Sequence, residues 1–192
     1  MKKSDLRKKY LEKRKSLSDE EIFQHSENIF RNFIEYFKPL AQQKVHIFIA
    51  IHKFKEVNTG LFTDYFISRN IKVFVPKIVD TKLISVEIFK DTQFEYNQWN
   101  ISEPVSSEDS DITDFDFIIT PLLYCDGYGN RVGYGKGFYD SFFERVSKAS
   151  KKIGINYFNP DEIIDDVREE DIPLDYLVTP TDVLSFFNKG LE

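Results

Sequence analysis

From Asp126 to Asp140 the chain reads Asp-Gly-Tyr-Gly-Asn-Arg-Val-Gly-Tyr-Gly-Lys-Gly-Phe-Tyr-Asp, and five of its eight glycines fall inside this stretch. Gly133, Gly135 and Gly137 come at alternate positions just before a segment, Phe138 to Val146, whose pattern predicts a helix. A turn stripped of side chains uncovers its N–H groups and reaches positive φ without steric cost, and a helix start adds partial positive charge, so the segment suits anionic oxygens. Arg131 and Lys136 bracket the turn and would neutralise charge developing on a moving phosphoryl group. The pattern is not a Walker A loop, since Lys136 is followed by Gly137 rather than Ser or Thr, and the glycine spacing does not fit the dinucleotide fingerprint. The same glycines would also serve a purely structural hairpin or a tight helix start, and both readings stay open at this point.

Other candidate groups lie around this segment. Asp140 follows the last glycine by three residues, where a carboxylate either caps the helix or binds Mg2+ beside phosphates, and Asp171 in a later acidic stretch would be a second metal ligand. Lys3 and Arg7, four apart, share one face of a predicted helix; that face is either solvated or turned onto phosphates. Glu56 lies in a turn after the first predicted strand, where a carboxylate would accept hydrogen bonds from a pterin-like ring, with Phe54 or Tyr139 to stack on it. Cys125 has no histidine near it in sequence and reads as a small buried hydrophobe rather than a nucleophile.

The elements that must position these groups follow from periodicity. Residues 4–15 predict a short helix with Leu6, Tyr10 and Arg14 on one stripe. Ser18 and Glu21 predict a capping box for a second helix, with Ile22, Ile29, Phe30, Phe33 and Phe37 facing the core, ending before Pro39. A strand at 45–51, a helix from Thr59 to Arg69 and a strand at 71–76 make a β-α-β unit. Further strands are predicted at 83–89, in DFIITPLL up to Pro121, in KIGINY and in DYLVTP, with a closing helix from Thr181. A polar stretch holds Trp99, and the Asp/Ser run at 106–114 after it predicts an exposed loop. Strands alternating with helices imply one domain over residues 1–192, built on a mainly parallel sheet covered on both faces, with ligands beyond the carboxyl ends of its strands.

Composition narrows the function classes. The 192 residues include 19 Phe and 10 Tyr, 41% hydrophobic and 30% charged residues, so a dense core is available. A net charge of −6 argues against DNA or an anionic membrane as the main partner. The charge is polarised, with eight Lys or Arg in residues 1–15 and eight Asp or Glu in residues 161–175. A solvated basic helix face and an acidic loop would account for that polarity. No apolar run reaches the roughly 20 residues of a membrane span, and the first residues lack a secretory pattern, so a cytoplasmic protein is expected. One cysteine excludes an internal disulfide, and His25, His46 and His52 lack metal-site spacing.

The run from Pro121 to Asp140, PLLYCDGYGNRVGYGKGFYD, resembles the signature P-x-x-x-F-D-x-x-G-x-R-L-G-x-G-x-G-Y-Y-D of the 5-formyltetrahydrofolate cyclo-ligase family, also called methenyltetrahydrofolate synthetase. Cys125 stands for the usual Phe, Val132 for Leu and Phe138 for Tyr. Shorter elements follow in family order: Lys3-Ser4-Asp5-Leu6-Arg7 with Arg14 after it, Glu56-Val57-Asn58-Thr59, Asn100-Ile101-Ser102-Glu103-Pro104 with Asn for Gly, and Glu170-Asp171 with Glu for the frequent His. The resemblance implies an α/β/α three-layer, Rossmann-like sandwich and an enzyme that uses ATP and Mg2+ to cyclise 5-formyltetrahydrofolate to 5,10-methenyltetrahydrofolate. It implies ATP on Lys3, Ser4, Asp5, Leu6, Arg7 and on Arg131, Val132, Gly133, Tyr134, Gly135, Lys136, Gly137, Phe138 and Tyr139. It implies Mg2+ on Asp140 and Asp171, folate on Ile51, Glu56 and Tyr139, and a catalytic part for Arg131 and Lys136. The expected partners are these small molecules, with no nucleic acid or membrane, and a monomer is expected. Two alternatives stay open: a ligase or kinase for another folate-like acid, and a non-catalytic nucleotide- or RNA-binding module.

Overall fold

The computed structural model describes residues 1–97 and 101–187, so Trp99 and Asn100 lie outside the described residues. In chain order the elements are α1 (Lys3–Lys15), α2 (Asp19–Phe37), β1 (Lys44–Ile47), a 3-10 turn (His52–Phe54), α3 (Gly60–Ser68), β2 (Lys72–Val79), β3 (Lys82–Ile88), β4 (Phe94–Tyr96), β5 (Ser102–Pro104), β6 (Phe117–Thr120), β7 (Tyr124–Cys125), β8 (Arg131–Val132), α4 (Phe138–Arg145), β9 (Lys151–Ile155), β10 (Tyr176–Val178) and β11 (Val183–Ser185). Seven strands form one sheet in the order β11-β10-β9-β6-β1-β2-β3. The pairs β10/β9, β9/β6, β6/β1 and β1/β2 are parallel, and an antiparallel strand closes each edge.

Alternation along the strands sorts the core into two layers. Val45 and Ile47 of β1, Phe117 and Ile119 of β6, and Ile153 and Ile155 of β9 face Ile29 and Phe33 of α2 and Phe62 and Phe66 of α3. The intervening Ile118 faces the other way, joining Phe74 and Phe115 against Phe142 and Phe143 of α4. Helices therefore cover both faces of a mainly parallel sheet, as expected. The capping box of α2 is present: Glu21 N donates to Ser18 Oγ at 3.2 Å and Ser18 N donates to Glu21 Oε2 at 2.7 Å. The helix stops at Lys38, which is left-handed with φ 46°.

Three expectations need correction. The first strand was expected to run to residue 51 but ends at Ile47, because side chains take over the amides beyond it. Ala50 N donates to Thr59 Oγ1 at 3.0 Å and Ile51 N to Glu56 Oε2 at 2.8 Å. The second strand does not end at residue 76; it continues to Val79 and folds back on β3 through Asp80 and Thr81, both at positive φ. Pro76 is tolerated because β1 pairs with β2 only as far as Phe74. The closing helix from Thr181 is replaced over the described residues by β11. Thr179 Oγ1 accepts Asp182 N at 3.1 Å, and the turn it closes returns the chain antiparallel to β10.

His46 of β1 is fully buried among the rings of Phe115, Tyr139 and Phe142, and neither ring nitrogen has a hydrogen-bond partner among the described residues. Burial without a partner pulls its pKa down from 6.5 to about 3. The unfolded chain then binds a proton that the native state refuses, so stability is full above pH 6.5 and is lost as pH falls toward 3. His46→Phe is expected to remove that pH dependence. In urea titrations at pH 7.5 and 5, the wild type should lose about 2 kcal/mol more than the variant. Equal losses would show that His46 charges freely in the folded protein.

Candidate active site

The strand order reverses between β1 and β6, and in sheets of this kind the crevice beyond the carboxyl ends at such a point receives ligands. Three segments converge there: the loop after β1, the glycine-rich segment after β6, and α1.

Asp126 shapes the glycine-rich segment from inside. Its buried carboxylate accepts Tyr128 N at 2.9 Å, Asn130 N at 3.0 Å, Asn130 Nδ2 at 3.0 Å and Ile164 N at 3.3 Å. The first three bonds fold residues 126–130 into the hairpin that brings β8 onto β7, and the fourth ties it to the acidic loop. Gly129, at φ 87°, has no room for a side chain because a Cβ would lie 2.7 Å from the Leu174 carbonyl oxygen.

The turn that follows is different. A Cβ on Gly133 or Gly137 would meet nothing within 4 Å, so protein packing does not demand the missing side chains there. Gly137 sits at φ 71° and starts α4 with no side-chain cap, which leaves the first amides of the helix to whatever occupies the open face. Helix α1 grips the turn from the other side. Arg7 Nε donates to the Gly133 carbonyl at 2.8 Å, and Arg7 Nη2 lies 3.4 Å from where a Gly135 side chain would begin.

Lys3, Arg7 and Arg14 fall within roughly 40° of one another around α1 at 3.6 residues per turn. Lys3 Nζ pairs with Asp171 Oδ2 at 2.5 Å, and Arg14 Nη1 donates to Tyr134 Oη at 3.2 Å. The charge polarity of the sequence is thereby explained. The acidic loop lies on the basic helix, with Lys9 on Glu162 at 2.7 Å, Lys3 N on Asp166 at 2.6 Å and the N-terminal amine on Asp165 at 2.8 Å.

On the acidic side, Arg131 Nη2 pairs with Asp140 Oδ1 at 2.6 Å, its Nη1 donates to the Ile172 carbonyl, and its guanidinium lies 4.7 Å from the Phe143 ring centre. Ile172 N also donates to Asp140 Oδ1, at 3.3 Å. Asp140 thus lies against the backbone of the residue that follows Asp171. Burial alone would raise the Asp171 carboxyl, but Lys3 and the Arg168 amide outweigh it and hold the pKa below the ordinary value. Among the described residues no cluster of three or more His, Cys, Asp or Glu is placed to hold a metal. A pair of carboxylates fits Mg2+, which commonly takes one or two from the protein and the rest from water and phosphate.

On the opposite side of the turn, Glu56 is 6% exposed; its Oε1 accepts Tyr134 Oη at 2.6 Å and its Oε2 accepts Ile51 N. Phe54 packs on the Tyr134 ring at 5.2 Å. Burial pushes the Glu56 pKa up, and the Tyr134 hydroxyl, the Ile51 amide and the Arg14 charge pull it part of the way back.

The expected groups come together around the turn, though not all by their side chains. Leu6 and Val132 are packed in a small core with Tyr10, Leu123 and Tyr124, so only their backbone can reach a ligand. Ser4, Asp5 and Lys136 are exposed, Phe138 opens α4 and packs partly buried on the core beneath it, and Ile51 is half-buried. The Tyr139 hydroxyl is buried with no hydrogen-bond partner among the described residues. Cys125 is fully buried, and burial pushes its thiol pKa well up, as suits a packed hydrophobe. Sequence reasoning missed the structural part of Arg14, which is 2% exposed and also donates to the Leu122 carbonyl at 2.5 Å. The available signal was an arginine on the stripe of Leu6 and Tyr10.

Comparison with known proteins gives a consistent result. Residues 1–180 match the 5-formyltetrahydrofolate cyclo-ligase family. A Schizosaccharomyces pombe protein described as "Probable 5-formyltetrahydrofolate cyclo-ligase" is 30% identical over 186 residues, covering 88% of this chain and 90% of that protein. A solved Aquifex aeolicus 5,10-methenyltetrahydrofolate synthetase matches at a TM-score of 0.81 and 30% identity, covering 100% of this chain and 97% of that one. A Mycoplasma pneumoniae 5,10-methenyltetrahydrofolate synthetase matches at 0.71 and 25% identity, covering 94% and 99%.

The role of Asp126 as an internal anchor can be measured separately from any ligand. Asp126→Ala leaves four donors without their acceptor and is expected to cost about 3 kcal/mol in urea unfolding. A loss below about 0.5 kcal/mol would place the cause of the hairpin elsewhere.

Proposed function

The chain belongs to the 5-formyltetrahydrofolate cyclo-ligase family, and from that premise we propose that the open face of the turn at residues 133–137 receives the phosphates of ATP while Glu56 receives the folate. The carrying observation is that Gly133 and Gly137 have open space where a side chain would stand. The reaction is the ATP- and Mg2+-dependent cyclisation of 5-formyltetrahydrofolate to 5,10-methenyltetrahydrofolate, with release of ADP and phosphate.

The chemical obstacle is the formyl oxygen, which is amide-like and a poor leaving group. It attacks the γ-phosphorus, the bond from that phosphorus to the bridging oxygen of ADP breaks, and an imino-phosphate forms. N10 then attacks the formyl carbon, loses its proton, and the ring closes as phosphate leaves with the oxygen. No protein nucleophile is needed, and the protein supplies position and charge. Asp140 and Asp171 would hold Mg2+, which would neutralise phosphate charge when bound. Amides of residues 133–139 and the cations of Lys3 and Arg7 hold the triphosphate. Exposed Lys136 meets the transferring group, and Arg131 adds charge while holding Asp140 and the 171–172 backbone in place. Ile51 and Glu56 hold the pterin ring, with Tyr139 beside it.

All of these groups lie on one chain, so this reading needs no second subunit to complete the site. No described helix is long and apolar enough to cross a membrane. The single buried thiol, Cys125, needs no oxidising compartment, which supports the cytoplasm.

Purified protein with Mg2+, ATP and 5-formyltetrahydrofolate should give the methenyl chromophore and ADP in equal amounts. ATP hydrolysis stimulated by the folate without methenyl product would select a different folate-like substrate. Gly133→Ala puts a methyl group only into the open face. It should leave the melting temperature within about 2 °C and raise the KM for ATP about tenfold; an unchanged KM would move the phosphates off this turn. Asp140→Asn keeps an acceptor for Arg131 but drops a charge, and should raise the Mg2+ concentration for half-maximal rate about tenfold. An unaltered Mg2+ dependence would remove Asp140 from the metal site.

A further inference from the structure

The Glu56 carboxylate does not stand alone. Tyr134 Oη donates to it at 2.6 Å, and Arg14 Nη1 donates to that same hydroxyl oxygen at 3.2 Å. Arg14 is held in turn by the Leu122 carbonyl at 2.5 Å and Asn156 Oδ1 at 3.4 Å, just beyond the carboxyl ends of β6 and β9. A buried arginine on the helix that carries Lys3 and Arg7 is thus joined through one tyrosine of the glycine turn to the carboxylate on the far side. We propose that Tyr134, backed by Arg14, is a positioning residue for substrate recognition: it keeps Glu56 ionised and turned toward the pterin N–H groups, and so sets the affinity for the folate rather than the rate of phosphoryl transfer. The inference rests on the reading of Glu56 as the folate-binding carboxylate.

The physical reason is the cost of a buried charge. A carboxylate 6% exposed takes up a proton unless donors favour its charged form. A protonated Glu56 would present a donor to the N–H groups of the ring, and the recognition pattern would fail. Tyr134 gives one hydrogen bond to the anion and receives one from a cation, a chain in which each bond polarises the next. The other titratable groups acting on Glu56 are Arg14, Tyr139 and Tyr157. Burial raises the pKa of all three tyrosines, Tyr134 included, so their hydroxyls stay protonated donors across the working pH range. Glu56 is then the group among them whose charge changes on the acid side.

Tyr134→Phe removes only the hydroxyl and keeps the ring that packs on Phe54. Initial rates of methenyl formation are measured from about pH 5.5 to 8.5, with uncatalysed ring closure subtracted. The variant is expected to raise the KM for 5-formyltetrahydrofolate about tenfold, to change kcat and the KM for ATP less than about threefold, and to shift the acid limb of 1/KM upward by about one pH unit. Glu56→Gln should abolish that limb, and adding Tyr134→Phe to it should cost nothing further in KM. Arg14→Lys, which keeps a cation, should hold the limb within about half a pH unit of the wild type. An unmoved limb in Tyr134→Phe, or a KM for ATP raised as much as that for the folate, would overturn the proposal while leaving Glu56 in its place. A limb left where the wild type has it when Arg14→Met takes the cation away would remove the backing by Arg14. If Glu56→Gln itself leaves the folate KM and the limb unchanged, the reading of Glu56 fails first, and the proposal with it.

Discussion

The grip of Arg7 on the Gly133 carbonyl is the contact on which the site depends. A turn with so few side chains has little of its own to hold it, and backbone without side-chain packing is costly to order. Helix α1 supplies the missing constraint from behind, through the 2.8 Å bond to Gly133 and the guanidinium lying along Gly135. The front of the turn can then stay bare. Arg7 carries a charge as well as a hydrogen bond, so the group that shapes the turn also makes its surroundings attractive to anions. Asp126 completes the arrangement from the other end by fixing where the turn begins.

Charge pairing explains why α1 lies where it does. A helix with seven basic residues would repel itself and stay solvated, but the acidic loop at 161–175 returns over it and takes up Lys3, Lys9 and the N-terminal amine. Exposed pairs of this kind each contribute little, and it is their number on one surface that orients the helix. Packing completes the docking: Leu6 and Tyr10 join Leu123, Tyr124 and Val132, and the Tyr10 and Tyr124 rings stack at 4.2 Å. The result places three cations of one helix face against the segments that carry Asp171, Gly133 and Tyr134.

Local and periodic signals were legible in the sequence, whereas partnerships across the chain were not. The capping box at Ser18 and Glu21, the phenylalanine stripe of α2 and the alternation in β1 each express a rule over a few residues, and each is present in the fold. The glycine turn stood out because three absent side chains before a helix need a reason. The end of β1 was missed because Thr59 and Glu56, residues well beyond the strand, take the amides of Ala50 and Ile51. The strand β11 reads as a helix from its sequence because its pairing depends on a four-residue turn closed by Thr179. Arg14 marked itself only as an arginine on an apolar stripe, since its partners, Leu122, Tyr134 and Asn156, are more than a hundred residues away.

On the function proposed above, the bare face of residues 133–137 is a phosphate seat, held open by α1 and lined by its own amides. A crystal structure with Mg2+ and a nonhydrolysable ATP analogue tests it most directly. Phosphate oxygens are expected within hydrogen-bonding distance of the amides between Gly133 and Tyr139, with Arg7 still on the Gly133 carbonyl. Phosphates bound elsewhere, with the face left bare, would contradict it.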